Sequence, residues 1–434
     1  MEIFVGGLLM GLSLVARYLL GFEGLRVRRA AAELCGLEDV KASWLARNVR
    51  ARAGRVEVRI GVSGNKHHPT RIVVAAPGPP GFGDVSIHSA ALGETVRGLA
   101  SGDEFFDFAF ILDGPVPLVF ALLDIETRRL LHRANAECRL QLSSGELRVD
   151  LADEKAAVVL PSLVEIGRRF ARPLDVPRRL VENARQDAEP GVRLHNLLVL
   201  IRELPRHPLT AWALRDACSD PSPRVRLQAA REVGAEGRAV LLELVDLDDD
   251  AVSAEAVSAL DRELPFERAT AILDRALIQR RLRTARACLE SIGRSGAAAV
   301  EVLAEVLERR KEGEVAVAAI RALGATGSPA AEPPLLQALQ RDAEDLQVAA
   351  AEALGRIGSA AAVLPLQEAA ERSRLDSDLP RAARQAIAEI QSRLEGAAPG
   401  QLSLAAAEAG RLSLALDPAG QLSLPPEEHS SWPK

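Results

Sequence analysis

Lys66-His67-His68 is the densest group of side chains able to bind a metal ion or carry a proton. It lies between two runs with strand periodicity, on a turn marked by Gly64-Asn65 and Pro69. Adjacent histidines on an extended chain point to opposite sides, a poor geometry for one metal, and no acidic residue is near in sequence. A solvated turn is therefore expected. His88, His132 and His195 are isolated and read as structural. Gly81-Phe-Gly83 lacks the third glycine and the following helix of a dinucleotide fingerprint. Asp246-Leu-Asp-Asp-Asp250 has the carboxylate spacing of a calcium loop, but Ala251 stands at the glycine position and Val257 at that of the bidentate glutamate. It reads better as a polar turn that caps the next helix. Cys35, Cys138, Cys218 and Cys288 are far apart, without a C-x-x-C pair or zinc spacing, and are expected to be reduced thiols. The sequence contains no G-x-S-x-G, Walker A or H-E-x-x-H motif. No catalytic residue, cofactor site or metal site is assigned, and the expectation is a protein that is not an enzyme.

The chain has 434 residues, 48% hydrophobic, 26% charged and only 3% aromatic. An Ala/Leu-rich interior suits closely packed helices more than aromatic-lined pockets. A formal net charge of −6 gives no reason to expect specific nucleic acid as the partner. Residues 1–22 are apolar from Ile3 to Ala16, interrupted by Arg17, and apolar again from Tyr18 to Phe22. A segment of about 20 residues can cross a bilayer. Gly7 and Gly11 have the G-x-x-x-G spacing for self-association of membrane helices. Arg17, Arg26, Arg28 and Arg29 all lie on the C-terminal side, which would keep the body of the protein on the cytoplasmic side of the inner membrane. A buried first helix of a soluble cytoplasmic protein is the alternative.

Residues 25–188 read as an α+β domain with a small, mostly antiparallel sheet. Arg28 to Cys35 is helical in pattern. Arg55 to Val62, Arg71 to Ala75 and Asp84 to His88 alternate as strands. Phe105 to Leu112 is expected as a further strand, Val116 to Ala134 as one helix, and 137–142 with 146–151 as a hairpin around Ser143-Ser-Gly145. Helices are expected over 154–172 and 176–186.

Residues 192–396 are dominated by self-similarity. Val315 to Gly324 recurs as Gln347 to Gly355, about 31 residues on, and the frame is present earlier as Arg283 to Gly293 and Pro223 to Gly234. Asp220 or Ser222 is positioned to cap a helix that Pro223 begins, and Gly234, Gly293, Gly324 and Gly355 are expected to end helices in the left-handed conformation. Ala319 and Ala350 are the small residues where neighbouring repeats should meet. The D-P-S-P-x-V-R-x-x-A-A-x-x-x-G frame from Asp220 to Gly234 resembles the HEAT repeat, in the short form of bacterial HEAT-repeat proteins and bilin lyases. The resemblance implies an α-solenoid that presents surfaces to other macromolecules. It brings no catalytic residues from the lyases.

Residues 397–434 carry G-x-L-S-L three times, at Gly400, Gly410 and Gly420. Such a tail cannot form a core and is expected to be disordered when free. Leu402, Leu404, Leu412, Leu414, Leu422 and Leu424 are the candidate partner-binding residues, acting as a multivalent linear motif. The chain is thus expected to be a membrane-tethered, non-catalytic scaffold for protein partners. A bilin-lyase-like enzyme is one alternative. A nucleic-acid-binding solenoid, suggested by Arg280, Arg281, Arg283 and Arg286, is the other.

Overall fold

A computed structural model describes residues 25–393 except 26–27, 31, 34, 44–46, 64–69, 91–97, 311–312 and 374–376, together with 402–404 and 412–414. The described residues divide into two compact units between Gly237 and Arg238.

In the first unit the strands are β1 (Glu38–Ser43), β2 (Asn48–Ala53), β3 (Val56–Val62), β4 (Thr70–Ala75), β5 (Ser86–Ser89), β6 (Phe110–Asp113), β7 (Leu140–Ser143) and β8 (Glu146–Leu151). They form one sheet of eight in the order β1-β2-β3-β4-β8-β7-β5-β6, every neighbour antiparallel. Alternation decides the faces. Val56, Val58, Ile60, Ile72, Val74, Leu147 and Val149 are buried, and Arg50, Arg71 and Arg148 between such positions are exposed.

The helices of this unit are α1 (Glu104–Ala109), α2 (Val116–Leu122), α3 (Ile125–Asn135), α4 (Ala156–Phe170), α5 (Val176–Gln186), α6 (Pro190–Glu203), α7 (Pro208–Ala217) and α8 (Pro223–Glu232). The buried face of the sheet shares a core with α3 and α4 through Leu131, Leu160, Leu163 and Phe170. Helix α2 walls two cores. Leu118, Val119 and Leu122 face the sheet core, and Phe120 and Ala121 join Leu180, Leu197, Leu200 and Val225 of the helices that follow.

Three sequence expectations differ here. Phe105 to Leu112 is not one strand. Asp103 accepts a hydrogen bond from the Phe106 amide and starts α1, and only Phe110–Asp113 is extended. Phe106 and Phe110 are the buried pair, which is helical spacing, while Phe105 and Phe108 are exposed. Val116 to Ala134 is two helices, because Asp124 caps a new start through the Thr127 amide. Strands β1 and β2 went unread: β1 is an edge with a mostly exposed pattern, and β2 alternates Arg with Val and Ala, residues of modest strand preference on average.

Buried charge ties the first helices to one another. Arg128 on α3 donates to both carboxylate oxygens of Asp187 at 2.9 Å, to Asp103 at 3.0 Å and to the Leu123 carbonyl at 3.0 Å. Arg193 on α6 donates to the Asp187 carbonyl at 2.9 Å and, through two nitrogens at 2.8 Å, to Asp220. Asp220 is therefore not a free cap, and Ser222 occupies the cap of α8 without a side-chain bond. Gly102 and Gly191 meet backbone to backbone beside this network. A Cβ on Gly191 would lie 2.1 Å from the Gly102 carbonyl oxygen.

The second unit contains α9 (Arg238–Leu244), α10 (Asp250–Leu260), α11 (Phe266–Ile278), α12 (Leu282–Gly293), α13 (Val300–Arg309), α14 (Glu314–Ala325), α15 (Glu332–Leu339), α16 (Glu344–Ile357), α17 (Val363–Arg372) and α18 (Leu379–Arg393). Helices α10, α12, α14, α16 and α18 lie side by side in one layer. The helices between them form a second layer, each packed on the helix that follows it. This is an α-solenoid of helical hairpins.

Gly293, Gly324 and Gly355 do not end helices in the left-handed conformation. Gly293 is the last residue of α12, Gly324 and Gly355 lie inside α14 and α16, and none has a positive φ; in the repeats that begin with α12 and α14 the left-handed glycines fall later, at Gly296 and Gly327. Their role is contact. A Cβ on Gly324 would lie 2.7 Å from the Ala353 Cβ, and one on Gly293 would lie 3.0 Å from the Ala322 Cα. Gly234 does follow the end of α8 with φ +64, as expected.

Asp187→Ala strands the Arg128 guanidinium in the interior and should cost about 3–5 kcal/mol in urea unfolding, against under about 1 kcal/mol for removal of the exposed Arg129–Glu126 pair. Gly324→Ala gains about 1 kcal/mol of helix propensity but must push α14 and α16 apart. It should therefore lower the midpoint of the second unit's unfolding. Ala319→Leu and Ala350→Leu, at fully buried positions, should cost about 1–3 kcal/mol each. A raised midpoint in Gly324→Ala would show that the inter-helix contact is compliant.

Candidate interaction site

An ordered row of side chains emerges from the stacking. On the layer of α12, α14, α16 and α18, Glu290, Arg321 and Glu352 are exposed at the repeat step and alternate in sign. Half-buried Val317 and Val348 lie one turn before Arg321 and Glu352. Between α16 and α18 this surface dips into a concavity of about 370 Å³ lined by Val348, Glu352, Arg356, Arg381, Gln385 and Glu389, among others. Alternating charge over a shallow apolar strip offers complementarity to a protein surface. It lacks the single-sign field that binds nucleic acid.

The arginines proposed for nucleic acid are not one face. Arg281 is buried and donates to the Leu247 carbonyl, and Arg286 pairs with Glu290. Arg281 belongs to a set that sequence reading missed. Arg310 donates to the Leu277 carbonyl at 3.2 Å and Arg341 to the Leu307 carbonyl at 2.8 Å. Arg310 and Arg341 each satisfy a carbonyl in the last turn of an earlier helix, where no amide remains to do so, and Arg281 one in the turn after α9. Their spacing, near one repeat, was the available signal.

Asp250 also links repeats. Its carboxylate accepts from the Thr284 amide at 2.8 Å, the Arg283 amide at 3.1 Å and the Thr284 hydroxyl at 2.8 Å, capping the start of α12. The neighbouring Asp249 caps α10, so the acidic run is a capping turn. Burial raises the Asp250 carboxyl, but those donors and the Arg281 charge outweigh it and hold it below the ordinary 3.8. Its contribution is therefore complete above the unfolded value and is lost as pH falls through the lower folded value. Asp250→Asn should flatten the acid limb of thermal stability below about pH 4, read by circular dichroism across pH 2–7. An acid limb equal to the parent's would mean that the cap carries no charge-dependent stability.

The other chemistry-bearing groups are dispersed. His132 packs on the rings of Phe106 and Phe110, each with centroids 5.5 Å apart, and His195 on Phe120 at 6.3 Å. The four cysteines are free. Burial pushes the Cys288 thiol up to about 12 and, as the main cause, Cys138 to about 11, so neither is a nucleophile near neutral pH. Among the described residues no group of three or more His, Cys, Asp or Glu side chains is placed to hold a metal ion. Lys66, His67 and His68 lie outside the described residues, as do residues 1–22 with Gly7 and Gly11. No helix among the described residues is long and apolar enough to cross a membrane.

Of the tail motifs, Leu402–Leu404 and Leu412–Leu414 form two strands that pair antiparallel, Leu404 opposite Leu412, Ser403 opposite Ser413 and Leu402 opposite Leu414. Leu422 and Leu424 lie outside the described residues. The tail was expected to be disordered when free; the pairing of one copy with another was not anticipated.

Residues 300–388 match the family model for HEAT repeats. No curated protein matches the chain. Among solved structures, human deoxyhypusine hydroxylase in complex with glycerol is similar at 18% identity over 50% of this chain and 96% of that chain, with a TM-score of 0.22. An engineered protein is similar at 21% identity over 64% of this chain and 78% of that one, with a TM-score of 0.30.

Proposed function

We propose that the protein is a non-catalytic scaffold that holds protein partners on the exposed row of its HEAT solenoid and through the repeated motif of its tail. The alternating Glu290, Arg321 and Glu352 row, carried on helices locked by glycine–alanine contacts, is the main support. A rigid surface with charges at a fixed step selects a partner by complementarity at little ordering cost. In the tail, two paired strands still have an outer backbone edge each, where an extended partner segment can add. Three motif copies on one chain then raise the effective concentration. The same reading places residues 1–22 as an anchor that keeps the body at the cytoplasmic face of a membrane, with self-association through Gly7 and Gly11. It takes the repeats as the short, bilin-lyase-type form of a bacterial protein.

The test is affinity capture from native membranes with the full chain, the deletion after Gly396, and Leu→Ala changes in one, two and three motifs. Partner loss should be stepwise and steeper than additive, up to about 10²–10⁴-fold in all. Charge reversal of Arg321 and Glu352 should remove a second, tail-independent set of partners. Retention of every partner by the tail deletion and by the reversal variant would sink the scaffold reading. A full-length protein that fractionates as soluble would sink the anchor alone.

A further inference from the structure

The open face of the β-sheet carries a charge arrangement that the scaffold reading does not use. The strand register aligns Lys41, Arg50, Arg59, Val73, Arg148, Gln141 and His88 as successive cross-strand neighbours. Cations directly opposite one another, as Lys41 with Arg50 and Arg50 with Arg59, oppose sheet pairing. Compensation among the described residues is incomplete. Glu146 serves both Arg59 and Arg148, so one carboxylate faces two guanidiniums. Arg71 is matched by Asp150 at 2.8 Å. Arg50 and Arg139 make no ion pair among the described residues.

Toward the β8, β7 and β5 end, this face sinks into a concavity of about 660 Å³. Arg71, Arg139, Arg148, His88, Ser86 and Gln141 are among its lining residues. The lining carboxylates are already engaged, Asp150 by Arg71 and Glu137 by Lys155 at 3.0 Å. Arg139 therefore projects an unmatched charge beside Arg148, which has half a partner.

We propose that this concavity binds a phosphorylated, sugar-sized polyanion. Guanidinium forks match phosphate oxygens in pairs and hold their charge at any working pH. The volume is that of a small-molecule site. Ser86 and Gln141 supply neutral donors for hydroxyl groups. Among the described lining residues there is no Phe, Tyr or Trp and His88 is the one ring, a weak stacking platform that disfavours nucleotides and single-stranded nucleic acid. The phosphate can be free or borne on a lipid headgroup; the chemistry recognised is the same.

Titration calorimetry on the full chain tests the site, with fructose 1,6-bisphosphate and inorganic tripolyphosphate as soluble probes and fructose as the uncharged control. Arg139→Gln removes an exposed side chain without an ion pair and should leave the thermal midpoint unchanged. It should weaken both anions about tenfold, and Arg139→Gln with Arg148→Gln about a hundredfold, while Arg129→Gln elsewhere on the unit has no effect. Co-sedimentation with vesicles containing phosphatidylinositol bisphosphate separates the sources. Capture lost in Arg139→Gln assigns a headgroup, and binding of soluble anions alone assigns a metabolite. The proposal is overturned if neither anion saturates in the millimolar range, if the variants bind like the parent, or if a single-stranded RNA competes at lower concentration than both anions through the same arginines.

Discussion

Arg128 has almost no contact with water, yet its guanidinium must remain charged. Such a group is tolerable only where acceptors surround it, since desolvation costs several kcal/mol. Those acceptors come from three places: Asp103 before α1, the Leu123 carbonyl after α2, and Asp187 after α5. Satisfying one side chain therefore fixes the relative positions of α1, α2, α3 and α5. Asp187 passes the constraint on, because its own backbone carbonyl accepts from Arg193, which in turn holds Asp220 ahead of α8. The first compact unit runs to Gly237, and within it α6 and the start of α8 are joined to α3 through Arg128, Asp187, Arg193 and Asp220 as well as through the apolar wall of α2.

The second unit depends on a different constraint, the closeness of backbones. Gly293, Gly324 and Gly355 allow an alanine of the next helix in the layer to approach where any side chain would intrude. Arginines then bind the carbonyls left at helix ends, and Asp250 binds the amides left at a helix start. Apolar contact sets the spacing and polar contact sets the register. A surface built this way repeats its exposed residues at a constant step, as Glu290, Arg321 and Glu352 do.

The sheet domain shows the opposite economy. One face is spent on the core, and the other is left open with cations facing cations across strands. Stability alone would favour mixed charge there. The open face and the helical row are thus separate surfaces with different charge character, the first uncompensated and positive near Arg139, the second balanced.

Periodicity was legible in the sequence wherever one residue's environment repeats at short range. The solenoid, the alternation of β3, β4 and the β7–β8 hairpin, and the capping turn at Asp249 follow from local pattern and composition. What could not be read there are the choices made by distant partners. Phe105 and Phe108 resemble a strand until Asp103 caps a helix beneath them. Gly324 resembles a stop until Ala353 arrives from the next repeat. Arg281 resembles a solvated charge until the Leu247 carbonyl claims it, and the G-x-L-S-L copies resemble independent motifs until two of them pair. The sequence by itself determined the helical repeats and the strands β3, β4, β7 and β8, because burial of one face imposes a period. Tertiary structure alone decided which charges are consumed within the fold and which are not, because that depends on what comes within hydrogen-bonding distance after the chain has folded.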